Sequence, residues 1–178
     1  RAPRSARDDD VCRLLFFGTI RPYKGLEHLI AAFDQLPADY RLTVVGETWE
    51  GWTAPLELIA RSPHRDRITL VNRYVSDDEV TGFFARADAV VLPYVRSSAS
   101  GPLHIAMSNG LPVVVTAVGG LAEAVADYEG AITVPPADVP ALTDALRSVR
   151  ELAGIRYPDP HSWQRNVDTI LAYPRVAV

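Results

Sequence analysis

Apolar residues in this chain fall into two alternating patterns. Short continuous apolar runs predict buried strands, and between them apolar positions recur at helical spacing. The strand runs are Cys12–Phe17, 41–45, Ile68–Val71, 87–92, 112–116 and Ala131–Val134. Residues 24–36 predict a helix, with Leu26, Leu29, Ile30 and Phe33 on one face. Residues 53–61 predict a second. Ser76-Asp77-Asp78-Glu79 matches a capping box ahead of Val80, Phe83 and Phe84. Further helices are predicted over 102–108, closed by Asn109-Gly110, over 121–126, and over Val139–Leu152. The last of these has Asp138 as its cap and Pro140 in its first turn. A final helix is predicted over about 162–171. Strands apolar throughout and separated by helices predict a parallel sheet covered on both faces. About six such units make an α/β, doubly wound, Rossmann-like domain with right-handed crossovers. Sheets of this kind bind ligands at the carboxyl ends of their strands. The Gly, Pro and Ser punctuation falls there: Gly18, Gly46, Pro93 and the stretch 116–120.

Bulk composition narrows the class. A length of 178 residues suits one domain with a full core. Hydrophobic residues at 48% and charged residues at 22% describe an ordinary globular domain. The net charge of -4 argues against a nucleic-acid binder but leaves room for a local cationic pocket. A single cysteine, Cys12, gives no disulfide framework. The four histidines are scattered, without zinc-site spacing. No apolar stretch reaches the roughly 20 residues of a membrane helix. Residues 1–10 are charged, lack periodicity and do not start with Met. They read as a linker ahead of a domain over 11–160, with a terminal helix in 161–178. The chain therefore reads as a piece of a larger protein.

Three loops on the predicted rim carry candidate chemistry. The first, Gly18-Thr19-Ile20-Arg21-Pro22-Tyr23-Lys24-Gly25, holds the only lysine among 18 basic residues. A compact ammonium suits a phosphate, and Arg21 adds a second cation beside a helix N-terminus, which itself attracts anions. A solvated surface lysine is the plainer alternative. The second loop, Tyr94-Val95-Arg96-Ser97-Ser98-Ala99-Ser100-Gly101, offers hydroxyl and backbone donors, or simply a serine helix cap. The third, Val118-Gly119-Gly120-Leu121, permits close backbone approach, or is only a tight turn. Neither a Walker pattern nor a GxGxxG is present, so nothing here is specific for ATP or NAD. An anionic ligand with a phosphate or diphosphate is the simplest target common to all three. Trp49 and Trp52 either flank a base or sugar, or serve packing.

Residues 14–173 resemble the donor-binding domain of GT-B glycosyltransferases, specifically glycosyltransferase family 4. The G-x-x-x-P-x-K-G turn is the first loop itself. Val45-Gly46, the turn Tyr74-Val75 and Ala87-Asp88-Ala89-Val90-Val91-Leu92-Pro93 follow in the family's order. The closing signature is Ala106-Met107-Ser108-Asn109-Gly110-Leu111-Pro112-Val113-Val114, running on through Gly119-Gly120 to Glu123. The resemblance implies the C-terminal half of a GT-B fold and transfer, with retention, of a sugar from a UDP- or GDP-linked donor. It implies no metal and no further cofactor. Lys24 and Arg21 would carry catalysis by contacting the diphosphate; the family's arginine usually stands where Thr19 is. Gly18, Thr19, Tyr74, Val75, Ser97, Ser98, Ser100, Gly101, Gly119 and Gly120 would complete the donor site. The family's two glutamates, eight positions apart, fall on Ser97 and Ile105. The acceptor would bind a missing N-terminal domain, against which the helix in 161–178 would pack. The isolated piece would be inactive, without a membrane span, in the cytoplasm or at the inner face of the cell membrane. A non-catalytic nucleotide- or phosphate-binding module and a nucleotide-sugar epimerase are the alternatives.

Overall fold

The computed structural model describes residues 2–3, 10–96 and 99–161. Among the described residues, strands β1 (Ala2–Pro3), β2 (Cys12–Phe17), β3 (Tyr40–Val45), β4 (Ile68–Val71), β5 (Ala89–Leu92), β6 (Val113–Thr116), β7 (Ala131–Val134) and β8 (Ile155–Arg156) alternate with six α-helices. The helices are α1 (Leu26–Phe33), α2 (Ala54–Arg61), α3 (Asp77–Arg86), α4 (Gly101–Ser108), α5 (Gly119–Ala124) and α6 (Val139–Leu152). Six strands form one wholly parallel sheet in the order β4-β3-β2-β5-β6-β7. The chain runs outward from β2 to β4, then returns to pair β5 on the other side of β2. The β2–β5 boundary is thus the point where the strand order reverses, where open α/β sheets place their ligands.

Strand periodicity explains the two-sided core. Leu14, Phe16, Leu42, Val44, Val91 and Val114 point to one face and pack with α1 and α6. Leu15, Val45, Val90, Leu92, Val113 and Val115 point to the other, against Phe84 of α3, Leu103 of α4 and Leu121 of α5. Both residue sets are buried, so the central strands read as unbroken apolar runs. Cys12 belongs to the first cluster, and burial, reinforced by Asp88, pushes its thiol up to about 12. The native chain is therefore expected to resist thiol reagents at neutral pH and to label only on unfolding. Labelling of the folded chain as fast as the denatured one contradicts that.

Several boundaries differ from the sequence reading, each for a visible reason. The helix predicted over 24–36 starts later, after a 3₁₀ turn at Pro22–Lys24. Gly25 separates the two at φ 63, and a Cβ there would stand 2.1 Å from the carbonyl oxygen of Pro93. Close packing against β5's end thus imposes a left-handed residue that no helix contains. The helix predicted over 121–126 instead spans Gly119–Ala124, so the Gly-Gly pair forms its first turn. Two residues of the predicted 1–10 linker, Ala2 and Pro3, pair antiparallel with Arg156 and Ile155 of β8. The predicted helix over 162–171 lies outside the described residues. The Ser76 capping box is present in full: Glu79 N donates to Ser76 Oγ at 3.4 Å and Ser76 N donates to Glu79 Oε2 at 3.0 Å. The Asn109-Gly110 stop, the Asp138 cap and Pro140 in the first turn of α6 also stand as read.

Candidate functional site

The loops after β2, β3, β5 and β6 nest together on the carboxyl rim. Gly18 N donates to Val45 O at 2.9 Å and Gly46 N to Val71 O at 3.0 Å, so each strand end is tied to its neighbour. Gly46 lies so close to the first loop that a Cβ would come 2.0 Å from Gly18 O. Across the reversal point, Val95 N donates to Tyr23 O at 2.8 Å. Thr116 Oγ1 donates to the carbonyl of Tyr94, joining the ends of β5 and β6. These backbone contacts hold the first two loops edge to edge, with the Gly-Gly turn one strand farther along.

Lys24 is the centre of this arrangement. The residue is only 9% exposed, although it is a lysine. Gly18 makes room for it, since a Cβ at Gly18 would stand 2.8 Å from Lys24 Nζ. Burial, with the nearby Arg21 guanidinium second, lowers the ammonium pKa from 10.5 to about 8. The ammonium sits 5.4 Å from the centroid of the Tyr94 ring. Burial also raises the Tyr94 phenol to about 12, so it stays neutral, and its hydroxyl lies 3.5 Å from Ser100 Oγ. Ser100 accepts from Leu103 N at 3.3 Å and so caps α4. The α4 N-terminus thereby opens beside the lysine loop. Arg21 is half-buried and stacks on the indole of Trp49, its Cζ 3.8 Å from the ring centroid. Arg96 lies 5.9 Å from the Tyr23 ring, which meets Tyr94 edge-on at 6.2 Å. Among the described residues neither Lys24 nor Arg21 has an ion-pair partner. Two cations beside a helix N-terminus are an arrangement that can receive an anion.

The other sequence candidates divide. Gly18, Ser100 and Gly101 stand at the site, and Thr19 is exposed beside it. Gly119 and Gly120 lie on the same rim beyond β6. Tyr74 is 79% exposed at the far edge, after β4, whereas the Val75 side chain is buried in the second core cluster. Ser97 and Ser98 lie outside the described residues. Ile105 packs against the second core cluster, so no carboxylate stands at that position. Sequence reasoning passed over two groups. Tyr94 supplies the surface against which Lys24 is desolvated; its signal was an aromatic directly after an apolar strand and Pro93. Glu27, in the first turn of α1, keeps Oε2 sealed from solvent without a hydrogen-bond partner. A buried acceptor without a donor is costly, and nothing in the apolar periodicity of α1 signals it.

Residues 12–151 match the family described as Glycosyl transferases group 1. The chain belongs to this family. It is 28% identical over 173 residues to the O-antigen chain mannosyltransferase B of Escherichia coli, covering 89% of this chain and 45% of that protein. Among solved structures, the sucrose-phosphate synthase of Thermosynechococcus elongatus superposes with a TM-score of 0.70 at 28% identity, over 79% of this chain and 36% of that one. The Anabaena protein HepE, in a structure with UDP and glucose, superposes at 0.67 and 19% identity, over 92% and 49% of the two chains. The fold is thus the Rossmann-like half-unit of GT-B glycosyltransferases. The chain spans less than half the length of the curated relatives it matches. Among the described residues no helix is long and apolar enough to cross a membrane.

Proposed function

We propose that this chain is the donor-binding, C-terminal domain of a retaining GT-B hexosyltransferase of family 4. The observation that carries the reading is the Lys24–Arg21 pair, two cations without ion-pair partners among the described residues at the strand-order reversal. The group 1 match supports a sugar transferase. The likeness to a fold crystallised with UDP supports a nucleoside diphosphate, UDP- or GDP-linked, as the ligand.

In the proposed reaction the bond between the anomeric carbon and the diphosphate oxygen breaks. Its electron pair leaves with the nucleoside diphosphate. The acceptor hydroxyl oxygen bonds to the same face of the anomeric carbon and passes its proton to the departing diphosphate. Negative charge grows on the diphosphate as the bond breaks, and Lys24, Arg21 and the N-terminus of α4 would stabilise it without a metal. The low dielectric around the buried Lys24 strengthens that interaction. Ser97, Ser98, Ser100 and Gly101 would line the donor on the α4 side, and Gly18, Thr19, Tyr74, Val75 and the Gly119-Gly120 turn would complete its enclosure. The acceptor would bind a second domain, which fits a chain spanning less than half of its relatives. The isolated chain would bind donor weakly without turnover. Such an enzyme would work in the cytoplasm or at the inner face of the membrane. Ile105 favours one competing reading, a non-catalytic phosphate-binding module of the same fold, because an isoleucine cannot hold ribose hydroxyls.

Calorimetric titration with UDP, GDP, ADP and their sugars tests the reading. Lys24→Ala is expected to remove a charge-assisted contact of about 1.5–3 kcal/mol, roughly tenfold or more in affinity. Affinity should also fall as pH rises through about 8, where Lys24 loses its proton. Unchanged binding by Lys24→Ala would sink the phosphate assignment. Sugar transfer by a longer form of the protein, absent from this chain alone, separates the enzyme from the module.

A further inference from the structure

Among the described residues, the Arg21 side chain packs against Trp49. Their closeness follows from the backbone. Ile20, the residue before Arg21, is fully buried. Its N–H donates to Glu47 O at 2.8 Å, and its carbonyl accepts from Trp49 N at 3.0 Å. Ile20 and Thr48 thus form an isolated parallel bridge that continues β2 and β3 beyond the sheet. Thr48 N donates to Asn72 Oδ1 at 3.0 Å, which ties the bridge to the end of β4. After Trp49 the chain closes a 3₁₀ turn, Trp52 N donating to Trp49 O at 3.1 Å. Glu50 inside that turn adopts φ 50, an unusual value for a residue with a side chain. Trp52 packs against the first core cluster and anchors the far end of the turn. The loop fixes the main chain of Trp49 against that of Arg21, yet leaves the indole 45% exposed. A large apolar ring left half in water, with a guanidinium 3.8 Å from its centroid, is a platform. Stacking on a ring face leaves the guanidinium N–H groups free at its edge, where a bidentate contact to an oxyanion forms.

We propose that Trp49 is a positioning residue: it holds the Arg21 guanidinium stacked and pre-ordered beside Lys24, so that the pair receives the diphosphate of a nucleotide ligand as one unit. This inference rests on the reading of the rim as a diphosphate site. Without the indole, Arg21 keeps its charge but must be ordered when the ligand binds, as well as withstand repulsion from Lys24. The indole itself does not touch the ligand.

A double-mutant cycle on the 178-residue chain tests this, with UDP as titrant and thermal melting as the check on folding. Trp49→Ala is expected to raise the Kd for UDP roughly two- to tenfold, and Trp49→Phe to restore most of the loss. In an Arg21→Ala background, Trp49→Ala should change nothing further, because its effect passes through Arg21. An undiminished Trp49→Ala effect in that background overturns the proposal and makes the indole a direct ligand contact. No effect of Trp49→Ala in the parent, with Lys24→Ala still weakening binding, overturns it while leaving the diphosphate site intact. Failure of the unmutated chain to bind UDP, GDP or ADP overturns both.

Discussion

Lys24→Met is expected to stabilise the fold and, in the same step, to weaken nucleotide binding roughly tenfold or more. In the folded chain the ammonium is desolvated, faces Arg21, and has its pKa lowered from 10.5 to about 8. That displacement converts to on the order of 3 kcal/mol of native-state destabilisation when the lysine is charged. Because the folded pKa lies below the unfolded one, the unfolded chain binds the extra proton between about pH 8 and 10.5. Stability of the parent therefore rises with pH across that window. The gain from methionine is full below about pH 8 and vanishes once both states are deprotonated. Methionine is apolar and unbranched, so it fills the cleft between Gly18 and the Tyr94 ring without a charge. Denaturant unfolding of the two proteins at neutral and alkaline pH reads this directly. A methionine variant less stable than the parent at neutral pH would mean that Lys24 is a structural residue with an unseen partner. A surface lysine would give no effect on stability at all.

Gly46→Ala is expected to lose about 3 kcal/mol or more of stability, and with it the geometry of the rim. The residue sits at φ 151, and its missing side chain would stand 2.0 Å from Gly18 O and 2.6 Å from the Gly18 carbonyl carbon. Backbone, unlike a flexible side chain, has nowhere to go: Gly18 N is already bonded to Val45 O, and Gly46 N to Val71 O. Relief requires the ends of β2 and β3 to separate, which carries Lys24 and Arg21 with them. The matched control is Gly51→Ala, where no atom lies within 4 Å of the added carbon and only the φ of 73 is unfavourable. Chemical denaturation should rank Gly46→Ala far below Gly51→Ala. Equal losses would mean that backbone conformation alone, and not the contact between the two loops, sets the requirement for glycine.

The architecture was legible because each buried parallel strand declares itself as an unbroken apolar run, and each helix by its spacing. The Ser76 and Asp138 caps and the Asn109-Gly110 stop were local chemistry and read correctly. Long-range contact decided what was missed. Gly25 breaks the first helix because Pro93, far away in sequence, occupies the space beside it. The antiparallel pairing of Ala2 and Pro3 with β8 joins the two ends of the described chain and has no periodicity to announce it. The site followed the same division. Lys24 and Arg21 stood out by charge type and by their place after an apolar strand. That Lys24 is buried against Tyr94, and that Trp49 carries Arg21 on its face, are facts of tertiary packing. Val75 shows the converse: a motif position whose side chain belongs to the core.

The central claim is that the buried Lys24 ammonium receives a diphosphate, and proton linkage tests it most directly. At about pH 8.5 most of the Lys24 population in the free chain is neutral, while UDP is fully ionised. An anion bound beside Lys24 restores its charge, so binding must take up a proton. Calorimetric titration with UDP in buffers of different ionisation enthalpy measures that uptake. The predicted result is on the order of half a proton or more taken up per UDP at about pH 8.5, falling toward zero by about pH 7. Tight binding with no proton uptake at the alkaline pH, or with proton release, would contradict it.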